Sequence, residues 1–297
     1  MSTTARHAST SRGGAPASDR PDTGRDLIRQ IAVVSAVCFM IVAAMVGTGL
    51  LGGTNVRDLQ GGALDADATV LAPGTPAFSI WSVIYLFMVG YAVWQASPRQ
   101  RDRPRQRAAG WWIALTAVLN GGWLLAAQFT TLPLTVVAIV LLLAALGWTF
   151  RILVRRRPAS VGDRVLMDAT VGLHLGWVSL ATVADITAWL SRTVPESWGA
   201  QADVWGVAVL VVVAAVGVGV AAFSRGRPSP ILALSWGLAW IAIARTTDQP
   251  HSTPVAIAAV LVIVVVVAAA AVVAWRANGR ETRGLVRRSR RSLSRAA

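Results

Sequence analysis

An all-α, polytopic transmembrane helix bundle is the fold class this sequence predicts, on three observations. Of the 297 residues, 55% are hydrophobic, with a mean hydropathy of +0.56, an excess beyond that of ordinary soluble domains. The apolar residues form runs long enough to cross a bilayer, which takes about 20 residues at 1.5 Å each. The charged residues are segregated between those runs and at the chain ends. All 28 basic residues are Arg, against 14 acidic ones, for a net charge of +14. Threaded between apolar spans, this surplus points to anionic lipid headgroups and not to a nucleic-acid partner.

The elements follow in order. Residues 1–30, mostly Ser, Thr, Ala, Gly, Pro and Arg, predict a disordered N-terminal tail. Ile31–Leu51 is too long for the apolar core of a signal peptide and reads as the first span. A loop rich in Gly, Asp and Thr runs to Pro76, and Gly61-Gly62 within it reads as a turn. Phe78–Gln95, Trp111–Phe129 and Leu132–Phe150 are the next spans, and the short connection at Thr130 makes the last two an antiparallel hairpin. Val165–Leu190 and Trp205–Phe223 are the fifth and sixth, Ile231–Ala244 is a short seventh, and Pro254–Trp275 is the eighth. The Arg-rich tail, residues 276–297, is too polar to pack and is expected against headgroups. The single cysteine, Cys38, reads as a small buried hydrophobe within the first span.

The fifth span carries most of the chemistry. Asp168, His174 and Asp185 lie within it, and ionisable groups in a span usually face a bundle interior or a cavity. At about 100° per residue, His174, Trp177, Ala181 and Asp185 share one stripe. Gly172 and Gly176 share another, spaced to admit a second helix within the bundle or in a homodimer. Asp185 is about 16 Å along the helix from His174, too far for a direct pair. Asp168 sits near the arginine-rich end, within reach of water or of an arginine such as Arg164. His174 has three readings: an iron ligand, a pocket hydrogen-bonder or filler.

Tryptophan is abundant, at 13 residues. Trp94, Trp111, Trp198, Trp205 and Trp275 lie near span ends, as interface anchors do. Trp81, Trp123, Trp177, Trp236 and Trp240 lie deeper and suggest an aromatic-lined cavity for a flat ligand. Trp81, Tyr85 and Met88 share a face of the second span, and Trp112, Thr116, Asn120 and Trp123 a face of the third. Asn120 is either polar glue between helices or a ligand contact. No Walker-type loop, H-E-x-x-H, G-x-S-x-G or cysteine pair is present in the sequence. No catalytic residue, metal site or required cofactor is therefore assigned.

Four features, in order along residues 31–190, carry a family resemblance. An aromatic-rich second helix follows a proline-containing loop, PGTPAFSIWSVIYLFMVGYAVW. The third helix centres on Leu119, Asn120 and Trp123. A short turn leads to a plain apolar fourth helix. The fifth holds LGWVSLATVADITAW. In these the chain resembles the tryptophan-rich sensory protein or translocator protein family (TspO/MBR). It departs where Leu124-Leu125 replace a proline, where Leu173-His174 replace Pro-Tyr, where Asp185 replaces Asn and where Ile186 replaces the Tyr of a proposed cholesterol motif.

The resemblance implies a five-helix core over residues 31–190 with a ligand cavity between its helices, followed by a three-helix membrane extension over 191–275. It implies a hydrophobic small-molecule ligand, a porphyrin or haem-like tetrapyrrole, bound for sensing or transport. The candidate pocket residues are Trp81, Tyr85, Asn120, Trp123, His174, Trp177 and Asp185. The rival reading is a proton-coupled transporter of another small molecule, working through Asp185 or Asp168, and a third is a porphyrin-degrading enzyme.

The expected location is a bacterial plasma membrane. Arginines crowd the loops after spans two, four and six and the C-terminal tail, while Asp58, Asp65, Asp67, Glu196, Asp203 and Asp248 fall in the alternate segments. With eight spans, every arginine-rich segment and both termini are cytoplasmic. Reporter fusions at Arg157 and at the C-terminus are expected to read cytoplasmic alike. A periplasmic C-terminus would remove the seventh span.

Overall fold

Among the described residues, proline opens four of the eight long helices. The computed structural model describes residues 23–293. Its long helices are α1 (Thr23–Gly47), α2 (Ile80–Ala96), α3 (Pro104–Phe129), α4 (Leu132–Arg155), α5 (Thr170–Ser191), α6 (Ala202–Ser224), α7 (Pro228–Thr247) and α8 (Thr253–Leu293). A 3₁₀ turn, Thr75–Ser79, leads into α2, and a π-helical turn, Asp163–Ala169, leads into α5. Proline stands in the first turn of α3, α4 and α7, where its missing N–H leaves nothing unpaired. At the far end of α6, Arg225 takes a left-handed φ of 61° and Gly226 follows at 75°, which stops the helix.

Among the described residues, eight helices are long and apolar enough to cross a membrane, and the protein is an integral membrane helix bundle. The short seventh span is complete: Pro228–Thr247 has 20 residues, its ends hidden in the sequence by prolines on one side and Arg245 on the other. Two terminal expectations change. The N-terminal tail was expected to reach residue 30, but α1 begins at Thr23, and Asp26, Arg29 and Gln30 are buried. Residues 1–22 lie outside the described residues. The polar start of α1 is held by pairing: Arg107 donates to the Asp26 carboxylate, at 2.9 Å from Nε to Oδ2, and Gln30 Nε2 donates to the Gln95 carbonyl at 2.6 Å. At the other end α8 does not stop with the membrane span but continues as helix to Leu293. Cys38, expected inside, lies exposed on the outer face of α1, where lipid accepts a thiol as readily as a core does.

The packing partners are α1 with α3, α3 with α4, α4 with α5, α5 with α2 and α2 with α1, so five helices close a ring. Beyond it α7 packs along α5, α8 packs on α7, and α6 packs on α8. Met40, Ile84, Ile113, Leu146 and Val171 belong to one apolar cluster. Leu210, Leu238, Val255 and Val266, with Leu180 of α5, belong to a second. The seam between the two is the glycine stripe of α5. A Cβ at Gly172 would collide with the Ser229 hydroxyl, and one at Gly176 with the Pro230 carbonyl. The close approach therefore lies within the chain, between α5 and α7.

One ionic knot ties the arginine-rich end. Asp168 Oδ1 pairs with Arg105 Nη2 and with Arg227 Nη1, the latter at 3.1 Å. Arg105 also donates to the carbonyls of Leu153, Arg156 and Asp163. Arg227 adds a second donor to Leu153 O, at 3.2 Å. The free carbonyls at the end of α4 are thereby capped by side chains from two other segments. Asp168 takes these two arginines as partners, and not Arg164. Overpacking the glycine seam is expected to weaken the fold: Gly176→Leu should lose about 1–3 kcal/mol, read as a lower melting temperature in detergent. An unchanged melting temperature would show that α5 and α7 separate freely.

Candidate functional site

The seven residues singled out from the sequence converge on the half of the ring away from the arginine-rich end. Trp81 is the hub. Its ring stacks on Tyr85 with centroids 5.4 Å apart and meets His174 and Trp177 edge-on at 5.9 and 6.0 Å. Phe78, which the sequence did not mark, meets Trp177 edge-on at 5.9 Å. Such edge-to-face pairs add about 0.5–1.5 kcal/mol each beyond area burial. Tyr85 Oη donates to Asn120 Oδ1 at 3.4 Å, and Asn120 Nδ2 lies 3.4 Å from His174 Nε2. With Asn120 as donor, His174 Nε2 accepts and the ring proton sits on Nδ1. That nitrogen and Trp177 Nε1 are buried without a hydrogen-bond partner. Buried polar groups are normally satisfied, so two N–H donors in an aromatic cluster mark a place where an acceptor would be welcome.

Asp185 forms the second half of the site. Trp123 Nε1 donates to its Oδ2 at 3.1 Å, and its Oδ1 lies 2.9 Å from Thr135 Oγ1 of α4. Thr135 Oγ1 is also 2.7 Å from the Leu132 carbonyl. A hydroxyl carries a single proton. When that proton serves Leu132 O, the contact with Asp185 is complete only if the acid is neutral and donates. An Asn in this position would make the same two bonds, through its N–H and its carbonyl.

Two cavities adjoin these residues. A cavity of 410 Å³ lies between α1, α2 and the outer loop, lined in part by Ile41, Thr75, Phe78, Trp81, Tyr85 and Trp123. It falls within the size range of small-molecule sites, about 300–1,000 Å³. A second, of 50 Å³, is lined by Trp81, Trp123, Trp177, Asp185 and the loop residues Asp65 and Thr69, among others; it admits a water or two. Phe78, Trp81 and Trp123 form the wall shared by the two. Trp81, Tyr85 and Trp123 thus face ligand-sized space, while Asn120, His174, Trp177 and Asp185 stand behind them as support. Trp236 and Trp240 do not join the cluster. They pair with each other at 5.8 Å, and Trp236 Nε1 donates to the Ala77 carbonyl at 2.9 Å. Trp112 turns outward onto Trp148, 5.9 Å away.

What the sequence reading missed is the roof. The loop between α1 and α2 turns at Gly61 and Gly62, with φ of 64° and 75°, and folds back over Asp185 and Trp123. Three side chains pin it. Gln60 Nε2 donates to Thr130 O at 2.7 Å, Arg192 Nη2 to Gly61 O at 2.7 Å, and the buried Arg245 of α7 to Thr69 O at 2.9 Å and Ala66 O at 3.0 Å. Two signals were available. A loop of this length without regular structure is uncommon in a compact domain, and an arginine inside a span requires a partner.

Fold and site together define a polytopic helical membrane protein with an aromatic, partly polar cluster roofed by an outer loop. A family model described as "TSPO-like protein" matches residues 29–272, and the chain belongs to that family. The match enters in α1 and ends in α8, so it takes in all eight spans. No curated protein and no solved structure matches the chain.

Arg245→Ala is expected to release the roof without dismantling the bundle. Removing a charged donor to two carbonyls should lower stability by about 1–3 kcal/mol, and limited proteolysis should cut between residues 56 and 72 faster than in the parent. A loop as resistant as before would show that Gln60 and Arg192 suffice.

Proposed function

We propose that this protein binds a flat, hydrophobic small molecule with polar edge groups, a porphyrin or another tetrapyrrole, for sensing or transport. The observation that carries the proposal is the stacked Trp81–Tyr85 pair on the wall of a 410 Å³ cavity, backed by a hydrogen-bonded set of Asn120, His174, Trp123 and Asp185. Stacked rings offer a flat face to a macrocycle, and Thr75 and Ser82 on the same cavity wall offer hydroxyls to its polar edge groups. Membership of the TSPO-like family supports the same class of ligand. In this reading the five-helix ring holds the ligand, and α6–α8 are an addition that steadies α5 and the roof.

The arrangement around Asp185 favours one alternative. A buried carboxylic acid whose hydrogen bonds can be closed in the neutral form as well as in the ionised one is a natural proton carrier, as a proton-coupled transporter requires. Asp168 is a poorer candidate for that role because two arginines already occupy it.

Porphyrin quenching of tryptophan fluorescence, measured on the purified full chain, tests the proposal. Trp81→Leu is expected to weaken binding about tenfold, the scale of one lost contact of about 1.4 kcal/mol. Asp185→Asn is expected to bind as the parent does, while Asp185→Leu, which leaves Trp123 Nε1 unpaired, weakens binding by a similar tenfold. No quenching by any porphyrin in the parent protein would reject the ligand class. If Asp185→Asn binds normally but abolishes pH-driven uptake into vesicles, the transporter reading replaces sensing.

A further inference from the structure

A groove of 550 Å³ lies away from this site and runs between α4 and α6, with α5 and α7 as its floor. Its lining is apolar almost throughout, with Leu143, Gly147 and Phe150 on one wall, Val212, Val216 and Phe223 on the other, and Pro230 and Leu234 below. The helices forming its walls belong to the five-helix ring on one side and to the added spans on the other. It exists because α4 and α6 do not close on each other.

Its length and its charge identify an occupant. Along α6 the lining runs from Val209 to Phe223, about 21 Å at 1.5 Å per residue. That is more than the depth of one leaflet, about 15 Å of a hydrocarbon core about 30 Å thick, so an acyl chain entering from the arginine-rich end fits along it. The groove begins at that end, at Phe150, Phe223 and Pro230, and ends at Leu143 in the middle of α4 and within about a turn past the middle of α5 and α6, at Val183 and Val209. At its mouth stand Arg151, one turn beyond Gly147 on the same stripe of α4, then Arg155, and Arg225 and Arg227 after α6. Arg151, Arg155 and Arg225 are exposed. The carboxylates nearby turn inward: Asp163 accepts from the Ala159 backbone N–H at 2.8 Å, and Asp168 is held by Arg105 and Arg227. The charge presented at the mouth is therefore positive, above an apolar slot deep enough for the acyl chains of one leaflet.

We infer that this groove is a binding site for an anionic phospholipid of the arginine-side leaflet, its acyl chains between α4 and α6 and its phosphate at Arg151 and Arg225. The bound lipid fills the seam between the ring and the added helices and contacts Gly176, Ser179 and Thr182 of α5. This site is independent of the aromatic cluster and of its ligand.

The groove can be filled without harming the fold. A Cβ at Gly147 or at Gly219 meets nothing within 4 Å. The test uses the full chain reconstituted in vesicles of phosphatidylcholine with spin-labelled phosphatidylglycerol or spin-labelled phosphatidylcholine, the immobilised fraction being read by electron paramagnetic resonance. The parent is expected to immobilise phosphatidylglycerol selectively. The double variant Gly147→Phe with Gly219→Phe should lose that selective fraction and keep its melting temperature. Arg225→Gln and Arg151→Gln should each lower the preference for phosphatidylglycerol about fivefold, the scale for one basic side chain at an anionic headgroup. Equal immobilisation of the two lipids by the parent, or an undiminished selective fraction in the filled variant, would overturn the inference. A filled variant that changes the oligomeric mass on size exclusion would assign the groove to a second copy of the chain instead.

Discussion

A bilayer interior supplies neither hydrogen bonds nor counter-charges, so the ionisable side chains along α5 and the π-helical turn before it draw their partners from inside the protein. That single constraint organises the structure. Asp168 draws in Arg105 from α3 and Arg227 from the segment before α7, His174 draws in Asn120 from α3, and Asp185 draws in Trp123 from α3 and Thr135 from α4. Three polar residues on one helix thereby fix the positions of its neighbours. The opposite requirement acts on another face, where Gly172 and Gly176 carry no side chain at all and α7 approaches to backbone contact.

The two faces of α5 link the five-helix ring to α6, α7 and α8. A change in how tightly the aromatic cluster packs would be felt through α5 at the α7 seam. The roof is tied to that seam as well, because Arg245 of α7 holds the carbonyls of Ala66 and Thr69 above the small cavity beside Asp185. The last three helices thus do more than lengthen the chain: they supply a donor that the ring lacks at the point where the loop crosses the site. A few of the arginines serve such internal bonds: Arg29, Arg105 and Arg245 are buried and donate to backbone carbonyls.

At Asp185 an amide would be absorbed without rearrangement. A neutral acid and an amide present the same pattern, one donor and one acceptor, to Thr135 and Trp123. The surrounding residues need no other adjustment.

Much of this was legible in the sequence. The spans follow from hydropathy, because a membrane helix must be apolar for about 20 residues whatever its neighbours are. The stripes on α2, α3 and α5 follow from helical periodicity, so Trp81, Tyr85, Asn120, Trp123, His174, Trp177 and Asp185 were nameable before their meeting was seen. Other properties were decided only by the tertiary structure. Which of the deep tryptophans meet depended on helix order in space, which set Trp236 and Trp240 apart from Trp81. Thr135, Phe78 and the roof carry no periodic signal, since a loop's path is set by the carbonyls it offers and by which distant side chain reaches them. Arg245 stood at the edge of a short span and read as a boundary, yet burial made it an anchor. The partner of the Gly172–Gly176 face was likewise open, because small residues specify that something comes close and not what it is.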